Sequence, residues 1–267
     1  MWIDSHCHLD AAEYDGASHV IAEAARAADV NWIVIPAVER ANFNTVAKLA
    51  TEIPGCVYAL GLHPLYVPQA DEEDLSVLRD AVALALTDKK FIAIGEIGLD
   101  FFVPSLCEPA MRAKQEFFYS EQLKIARDFN LPVILHVRRS QDTILKYLRR
   151  INVASGIAHA FNGSVQQAEI FGRLGFALGF GGAMTFTRAL QIRRLASSLP
   201  DELIVLETDS PDISPSWLHP ASNTPAQLPQ IAAVLAQLRG QSLVHLARQT
   251  TDNIARVLPR LGSLLMQ

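Results

Sequence analysis

The chain has 267 residues, of which 50% are hydrophobic and 19% are charged, and its formal net charge is −5. This negative net charge argues against a protein that binds nucleic acid over its whole surface. Bound divalent cations could still make one site electropositive. The cysteines Cys7, Cys56 and Cys107 are widely spaced with no C-x-x-C pair, which argues against a disulfide framework and a structural zinc knuckle.

Eight short β-branched or apolar runs alternate with stretches of helical periodicity. The predicted strands cover residues 2–8, 32–37, 57–62, 91–96, 132–136, 156–159, 176–180 and 203–209. Helices are predicted between them, for example over 18–28, 71–86, 108–129 and 164–174, with two closing helices over 225–238 and 242–258. This alternation predicts parallel strands joined by helical crossovers, and eight units favour an α/β fold, a (β/α)8 TIM barrel. We expect one domain over 1–267.

The location expected from the sequence is cytoplasmic. The chain starts in a predicted strand rather than in a signal segment, and no apolar run approaches the roughly 18 residues that a membrane helix needs. Unpaired cysteines fit a reducing compartment. No obligate protein partner is evident.

Two histidines end the first predicted strand. His6 and His8 are two residues apart, so their side chains point to the same face of a strand and could close on one ion. Neutral imidazole suits zinc and its neighbours in the first transition row. Taken alone, the pair could as well be two core or surface histidines.

Four further candidate ligands end later strands. Glu96 ends the fourth strand, His136 the fifth, His159 the sixth and Asp209 the eighth. In a barrel these carboxyl ends meet at one mouth, where the chemistry of this fold is found. The alternative is that each residue only caps backbone groups or forms an ion pair, which becomes improbable for all six together. Glu207 would share the face of Asp209 one layer deeper, but a buried carboxylate there is costly, so Asp209 is preferred.

Six ligands exceed the needs of one tetrahedral zinc, so two ions are expected. Glu96 is the natural bridge between them. Such a pair lowers the pKa of a bound water towards neutrality and stabilises the charge that builds up on a phosphoryl or carbonyl oxygen during attack. Asp209 could then accept the proton of the attacking water as general base.

Several ordered sequence blocks resemble the TatD family of metal-dependent hydrolases. They are DSHCHLD (4–10), GLHP (61–64), GEIGLD (95–100), PVILHVR (132–138), HAFNGS (159–164) and ETDSP (207–211), and the resemblance runs from residue 4 to about 258. It implies a TIM barrel with two, sometimes three, divalent ions of zinc, magnesium or manganese. Their ligands would be His6, His8, Glu96, His136, His159 and Asp209. It also implies cleavage of phosphodiesters, characteristically in DNA from a 3′ end, so single-stranded DNA or a small nucleotide is the expected substrate.

The resemblance breaks at two positions near the expected mouth. The family usually carries Arg-Asn-Glu-Pro after the last strand, where this chain has Ser222-Asn223-Thr224-Pro225, and a frequent aromatic residue is Asp212 here. Losing a basic residue and gaining an acid weaken the case for an extended polyanionic strand.

Two more residues are candidates for contact with substrate. His63 follows the third strand and could meet a leaving group or a phosphate oxygen; its alternative is a structural turn. Arg138 lies two residues past His136 and could bind phosphate bidentately. A surface ion pair with Asp142 or Glu108 is its alternative.

These features favour a metal-dependent phosphodiesterase acting as a DNase. The same centre could instead hydrolyse a carbonyl substrate, such as an aminoacyl-tRNA ester or a cyclic amide. A non-catalytic barrel that binds nucleic acid or a partner would be expected to have a degraded metal site.

Overall fold

The computed structural model describes residues 1–266 and shows eight parallel strands surrounded by helices. The strands are β1 (Trp2–Asp4), β2 (Val30–Pro36), β3 (Cys56–Leu60), β4 (Phe91–Asp100), β5 (Val133–Arg138), β6 (Gly156–Ala158), β7 (Phe176–Phe180) and β8 (Ile204–Leu206). The helices are α1 (Ser18–Ala27), α2 (Phe43–Glu52), α3 (Glu72–Ala85), α4 (Pro109–Asp128), α5 (Gln141–Leu148), α6 (Val165–Arg173), α7 (Leu190–Ser198), α8 (Leu228–Arg239), α9 (Leu243–Val257) and α10 (Pro259–Leu265).

The predicted (β/α)8 TIM barrel is confirmed. The strands pair in sequence order from β1 to β8, and each neighbouring pair along this order is parallel. Backbone hydrogen bonds join the first and last strands: the amide of Ser5 donates to the carbonyl of Leu206 at 3.1 Å, and the amide of Asp209 donates to the carbonyl of His6 at 2.9 Å. All eight carboxyl ends therefore surround one mouth.

Several predicted strand ends are wrong. The strands predicted over 2–8, 156–159 and 203–209 stop at Asp4, Ala158 and Leu206, while β4 continues past Glu96 to Asp100. The reason at β1 and β8 is that the backbone beyond them bonds across the seam or to a side chain, as when the His6 amide donates to Asp4 Oδ1. His6, His8 and Asp209 consequently lie on short segments just past the strands.

Helix starts follow the sequence signals. The Ser164 hydroxyl accepts the amide of Gln167 at 3.1 Å, which caps α6. Asp71 caps α3 by accepting the amides of Glu73 and Asp74. These caps satisfy backbone donors that have no partner inside the helix.

The apolar core has two parts. Side chains that face outwards from the strands, such as Ile33 and Ile35, pack with the surrounding helices, whereas the intervening Val34 belongs to a second cluster inside the barrel. Val257 and Leu261 join that inner cluster, so α9 and α10 cover the end opposite the mouth. Alternation with a period of two produces both parts from the same strands.

Candidate metal centre

The structure brings the six predicted ligands together at the mouth of the barrel. Three overlapping groups have ligand atoms within 4.8 Å of one another. They are His6 with His8 and Asp209, His6 with Glu96 and His159, and His63 with Glu96 and His136. Side chains from six strands, or from the segments just after them, therefore meet at one place.

Glu96 lies at the centre of this cluster, and its two carboxylate oxygens face different histidines. Oε2 is 3.1 Å from Nε2 of His6 and 3.4 Å from Nε2 of His8. Oε1 is 2.7 Å from Nε2 of His159 and 2.9 Å from Nδ1 of His136. The carboxylate is only 1% exposed. This is the arrangement that a carboxylate bridging two cations requires.

The donor set fits divalent ions. Ligand atoms bonded to one ion at about 2.0–2.2 Å lie roughly 3 Å from each other. Here, Nε2 of His6 lies 3.2 Å from Nε2 of His8 and 3.5 Å from Oδ1 of Asp209. Imidazoles mixed with carboxylates suit zinc and manganese, and carboxylate oxygens also suit magnesium.

The electrostatics of the cluster follow from its burial. Burial by itself would raise the pKa of Glu96, but the imidazoles of His63, His159 and His6 hold it well below its ordinary value. Burial would lower the pKa of His8 and His159, yet Glu96 and Asp209 raise these values to about 9 and about 10. Burial lowers the pKa of His6 to about 3. The cluster therefore combines an ionised Glu96 and a neutral His6 with two imidazoles, those of His8 and His159, that are protonated at neutral pH when no cation competes for them.

Asp209 lies at the outer edge of the centre. Its side chain is 12% exposed, against 1% for Glu207. Burial raises the pKa of Asp209, although His159 and His8 oppose the rise. Glu207 is deeper, where Oε1 accepts the amide of Ala160. The structure therefore places Asp209, rather than Glu207, beside His6 and His8.

His63 is closer to the cluster than the sequence indicated. It is 5% exposed, and its Nε2 lies 3.2 Å from Oε1 of Glu96. The amide of Leu65 donates to Nδ1 of His63 at 3.1 Å. Because burial lowers the pKa of His63 to about 4, the ring is neutral and its single proton lies on Nε2. His63 consequently points a hydrogen-bond donor, not a lone pair, at the centre.

Arg138 lies on the rim beside this centre. Its guanidinium is stacked 3.9 Å above the ring of Phe102 and is 3.8 Å from Oδ2 of Asp100. The side chain is 49% exposed. The acidic neighbour of Arg138 is thus Asp100 rather than Asp142 or Glu108. Because half of the side chain is exposed, the guanidinium can still bind a ligand from solvent.

Sequence reasoning missed Asp100. Its Oδ2 is 3.1 Å from Nε2 of His136, and its Oδ1 accepts the amides of Phe102 and Val103. Burial would raise the pKa of Asp100, but these hydrogen bonds lower it to about 2. The available signal was its place as the last residue of the GEIGLD block, on a strand longer than predicted.

Asp4 is a second missed residue. The buried carboxylate accepts the amide and the hydroxyl of Thr208, at 2.9 and 2.5 Å, and the amide of His6 at 3.3 Å. Burial raises the pKa of Asp4 to about 7 despite these bonds. Asp4 therefore connects the segment that carries His6 to the segment that carries Asp209 and fixes the distance between them.

No helix among residues 1–266 is long and apolar enough to cross a membrane.

Known proteins share both the sequence and the shape of this chain. The family model described as TatD related DNase matches residues 3–259. YjjV of Escherichia coli K12, an uncharacterized metal-dependent hydrolase, is 37% identical over 253 residues, which are 94% of this chain and 95% of that protein. TATDN3 of Mus musculus, whose name proposes a deoxyribonuclease, is 31% identical over 99% of this chain and 90% of its own length. The crystal structure of YjjV superposes with a TM-score of 0.90 at 35% identity, covering 97% of this chain and 98% of that one.

Proposed function

This chain belongs to the family of TatD-related DNases, and we propose that it is a phosphodiesterase that removes nucleotides from the 3′ end of single-stranded DNA. Members of the family are described as metal-dependent hydrolases. The choice of a phosphodiester and of a 3′ end is our proposal. The observation that carries it is the position of Glu96 between two sets of imidazoles, with Asp209 and Arg138 on the open side.

The proposed ligands are His6, His8, Glu96, His136, His159 and Asp209. Two divalent ions held there would supply an activated water and positive charge for the phosphoryl oxygens, the chemistry of a two-metal site. Zinc, magnesium and manganese are the candidates. Glu96 would contribute one carboxylate oxygen to each ion.

The chain's own residues have distinct tasks in the proposed reaction. Asp209, the most exposed carboxylate of the cluster, accepts the proton of the attacking water. His63 carries its proton on Nε2 and donates a hydrogen bond to the leaving oxygen. Arg138 offers two parallel N–H groups to a non-bridging phosphate oxygen pair. Its stacking on Phe102 fixes the plane of the guanidinium before substrate arrives.

The test is degradation of a 5′-labelled single-stranded oligonucleotide by metal-stripped protein with each ion added back. Successive shortening of the labelled strand is expected, and a 3′-terminal phosphorothioate should block it. Glu96→Ala and Asp209→Asn should abolish the reaction. Glu121→Ala and Asp128→Asn change the same residue types in ion pairs on α4 and should leave it intact. Metal binding without any strand shortening would refute the nuclease assignment.

One observation favours a carbonyl substrate as the second candidate. Asp212 and Ser222, both exposed, stand near the mouth where the family usually has an aromatic residue and an arginine. Of the carbonyl substrates considered, less positive charge there suits a cyclic amide better than an aminoacyl-tRNA ester, because the RNA of the ester is a polyanion. Release of a carboxylic acid instead of nucleotides would identify this alternative.

A further inference from the structure

A groove lies on the rim of the barrel, on the same side as the metal centre. It lies between the segments that follow β7 and β8, and its volume is about 600 Å³. We call it the rim groove and define it by Phe186, Arg188, Asp212, His219 and Ser222. Pro211, only two residues after Asp209, also lines it. The segment that carries Asp209 therefore leads directly into the wall of the rim groove.

Hydrogen bonds and close backbone packing hold the two segments that form the walls of the rim groove. Nδ2 of Asn223 donates to the carbonyl of Thr208 at 2.9 Å, and the amide of Ser216 donates to the hydroxyl of Thr185 at 2.8 Å. The two segments touch so closely that a Cβ on Gly182 would lie 2.0 Å from the carbonyl oxygen of Ile213. The groove is thus preformed, as small-molecule sites usually are.

Aromatic rings and one cation form one side of the rim groove. The rings of Phe186 and His219 are 5.7 Å apart at 81°, and the guanidinium of Arg188 lies 5.6 Å from the Phe186 ring. This separation is wider than the 3.9 Å of Arg138 over Phe102, so Arg188 does not stack tightly on Phe186. Phe186 is half-buried and His219 is exposed. Such rings offer a flat base a stacking surface, and the flexible arginine can close over it.

The polar side chains of the rim groove suit a sugar and a base edge better than several phosphates. Asp212 and Arg188 have opposite charges, and Ser222 adds a neutral hydroxyl. Asp212 follows Asp209 by only three residues, on the segment that forms one wall of the groove. An acid there repels additional phosphates but accepts hydrogen bonds from hydroxyl or amino groups.

We propose that the rim groove binds the nucleoside attached to the scissile phosphate, with its base packed in the corner between the perpendicular rings of Phe186 and His219, stacked on one ring and touching the other with its edge. Arg188 covers the base, and Asp212 accepts hydrogen bonds from its amino group or from the sugar. This inference rests on the proposed function, because it names the part of the substrate that lies next to the metal centre. The proposal predicts that a ligand with a base binds the rim groove more tightly than the same ligand without one.

The test is calorimetric titration of the metal-loaded protein with 2′-deoxyadenosine 5′-monophosphate and with base-free 2-deoxyribose 5-phosphate. The nucleotide should bind about 5- to 150-fold more tightly, which is the contribution of one base stack to affinity. Phe186→Ala and His219→Ala should each remove most of that preference and leave binding of the sugar phosphate unchanged. His219 is exposed, so its substitution should not disturb folding.

Phe117→Ala is the matched control. Phe117 is 41% exposed and lines a different groove, of about 680 Å³, on the outer face of α4 with Tyr147 of α5. Its replacement should change neither affinity. Equal binding of the two ligands, or equal losses of both in the Phe186 and His219 variants, would overturn the rim-groove proposal even if the protein cleaves DNA. Base-dependent binding in a protein that cleaves no phosphodiester would instead refute the proposed function alone.

Discussion

Nε2 of His136 donates a hydrogen bond to Oδ2 of Asp100 at 3.1 Å, which leaves Nδ1 of the same ring directed at Glu96. The pKa of Asp100 is lowered to about 2, although burial opposes this, so the acceptor is a full carboxylate near neutral pH. The bond fixes both the tautomer and the orientation of the imidazole. Carboxylate partners of this kind also increase the basicity of a ligating histidine.

Asp100→Asn should therefore weaken metal binding by about 10- to 100-fold with little change in fold. Titration calorimetry with zinc and manganese would measure the loss. Asp88→Asn is a suitable control, because Asp88 accepts a hydrogen bond from the Tyr58 hydroxyl near the start of β4 and is remote from the mouth. Unchanged metal affinity in the Asp100 variant would show that the backbone alone orients His136.

His63→Ala should lower kcat by about 10²- to 10³-fold, the usual effect of removing one hydrogen-bond donor to a developing oxyanion, without loss of bound metal. The ring has its proton on Nε2 because the Leu65 amide occupies Nδ1. Since burial lowers the pKa of His63 to about 4, this neutral form persists as the pH falls from 8 to 5. Metal content and kcat should be compared with those of His19→Ala, a surface histidine beside Glu52. A His63 variant that loses an ion would make His63 a ligand.

Loading the metal centre should release protons. Despite the opposing effect of burial, Glu96 and Asp209 raise the pKa of His8 to about 9 and of His159 to about 10, so both rings are protonated at pH 7 in ion-free protein. A ligating imidazole must be neutral. Metal affinity should increase with pH between 6 and 9, by roughly tenfold per pH unit for each proton released. Calorimetry in buffers of different ionisation enthalpy would count the protons, and a count of zero at pH 7 would contradict this assignment.

The same shifts predict how stability depends on pH without metal. The folded chain holds the protons of His8 and His159 more tightly than the unfolded chain, in which the ordinary value is 6.5. Their contribution to the free energy of unfolding is therefore complete below about pH 6.5 and is lost as the pH rises through about 9 and 10. Metal-loaded protein should lack this decline, because the ions replace the protons.

Gly179→Ala should destabilise the barrel by about 1–3 kcal/mol, the usual cost of overpacking. A Cβ at this position would lie 2.0 Å from Oε2 of Glu207, a buried carboxylate whose other oxygen, Oε1, accepts the amide of Ala160. Thermal unfolding would measure the change. Unchanged stability of the variant would show that the Glu207 side chain adapts.

Ser222→Arg should lower KM for oligonucleotides several-fold at low salt. The substitution adds a cation to the rim groove, and one new phosphate contact on a single strand should steepen the salt dependence of binding by a slope of about 0.7. Affinity measured between 50 and 200 mM salt would test this. Ser216→Arg makes the same charge change at an exposed position of the same segment, outside the groove lining, and should alter the slope less. An identical slope in both variants would mean that the added charge acts only at long range.

The sequence was sufficient for the type of fold and for most residues of the cluster around Glu96. Alternating apolar and helical periodicities predicted eight β/α units, and ligand-type residues at the strand ends predicted the cluster around Glu96. Both are local properties of the chain: the spacing of apolar side chains defines each element, and the carboxyl end of a strand marks the mouth of a barrel.

Tertiary structure alone decided how those residues act. The orientation of His136 depends on Asp100 at the end of an unexpectedly long strand, and the donor character of His63 depends on the amide of Leu65. The seam between β1 and β8 depends on Asp4 reaching Thr208, which is 204 residues away in sequence. The rim groove likewise joins Phe186 to Asp212 and Ser222 from a separate segment. Hydrogen-bond direction, burial and pKa are set by atoms that meet only after folding, so no local pattern records them.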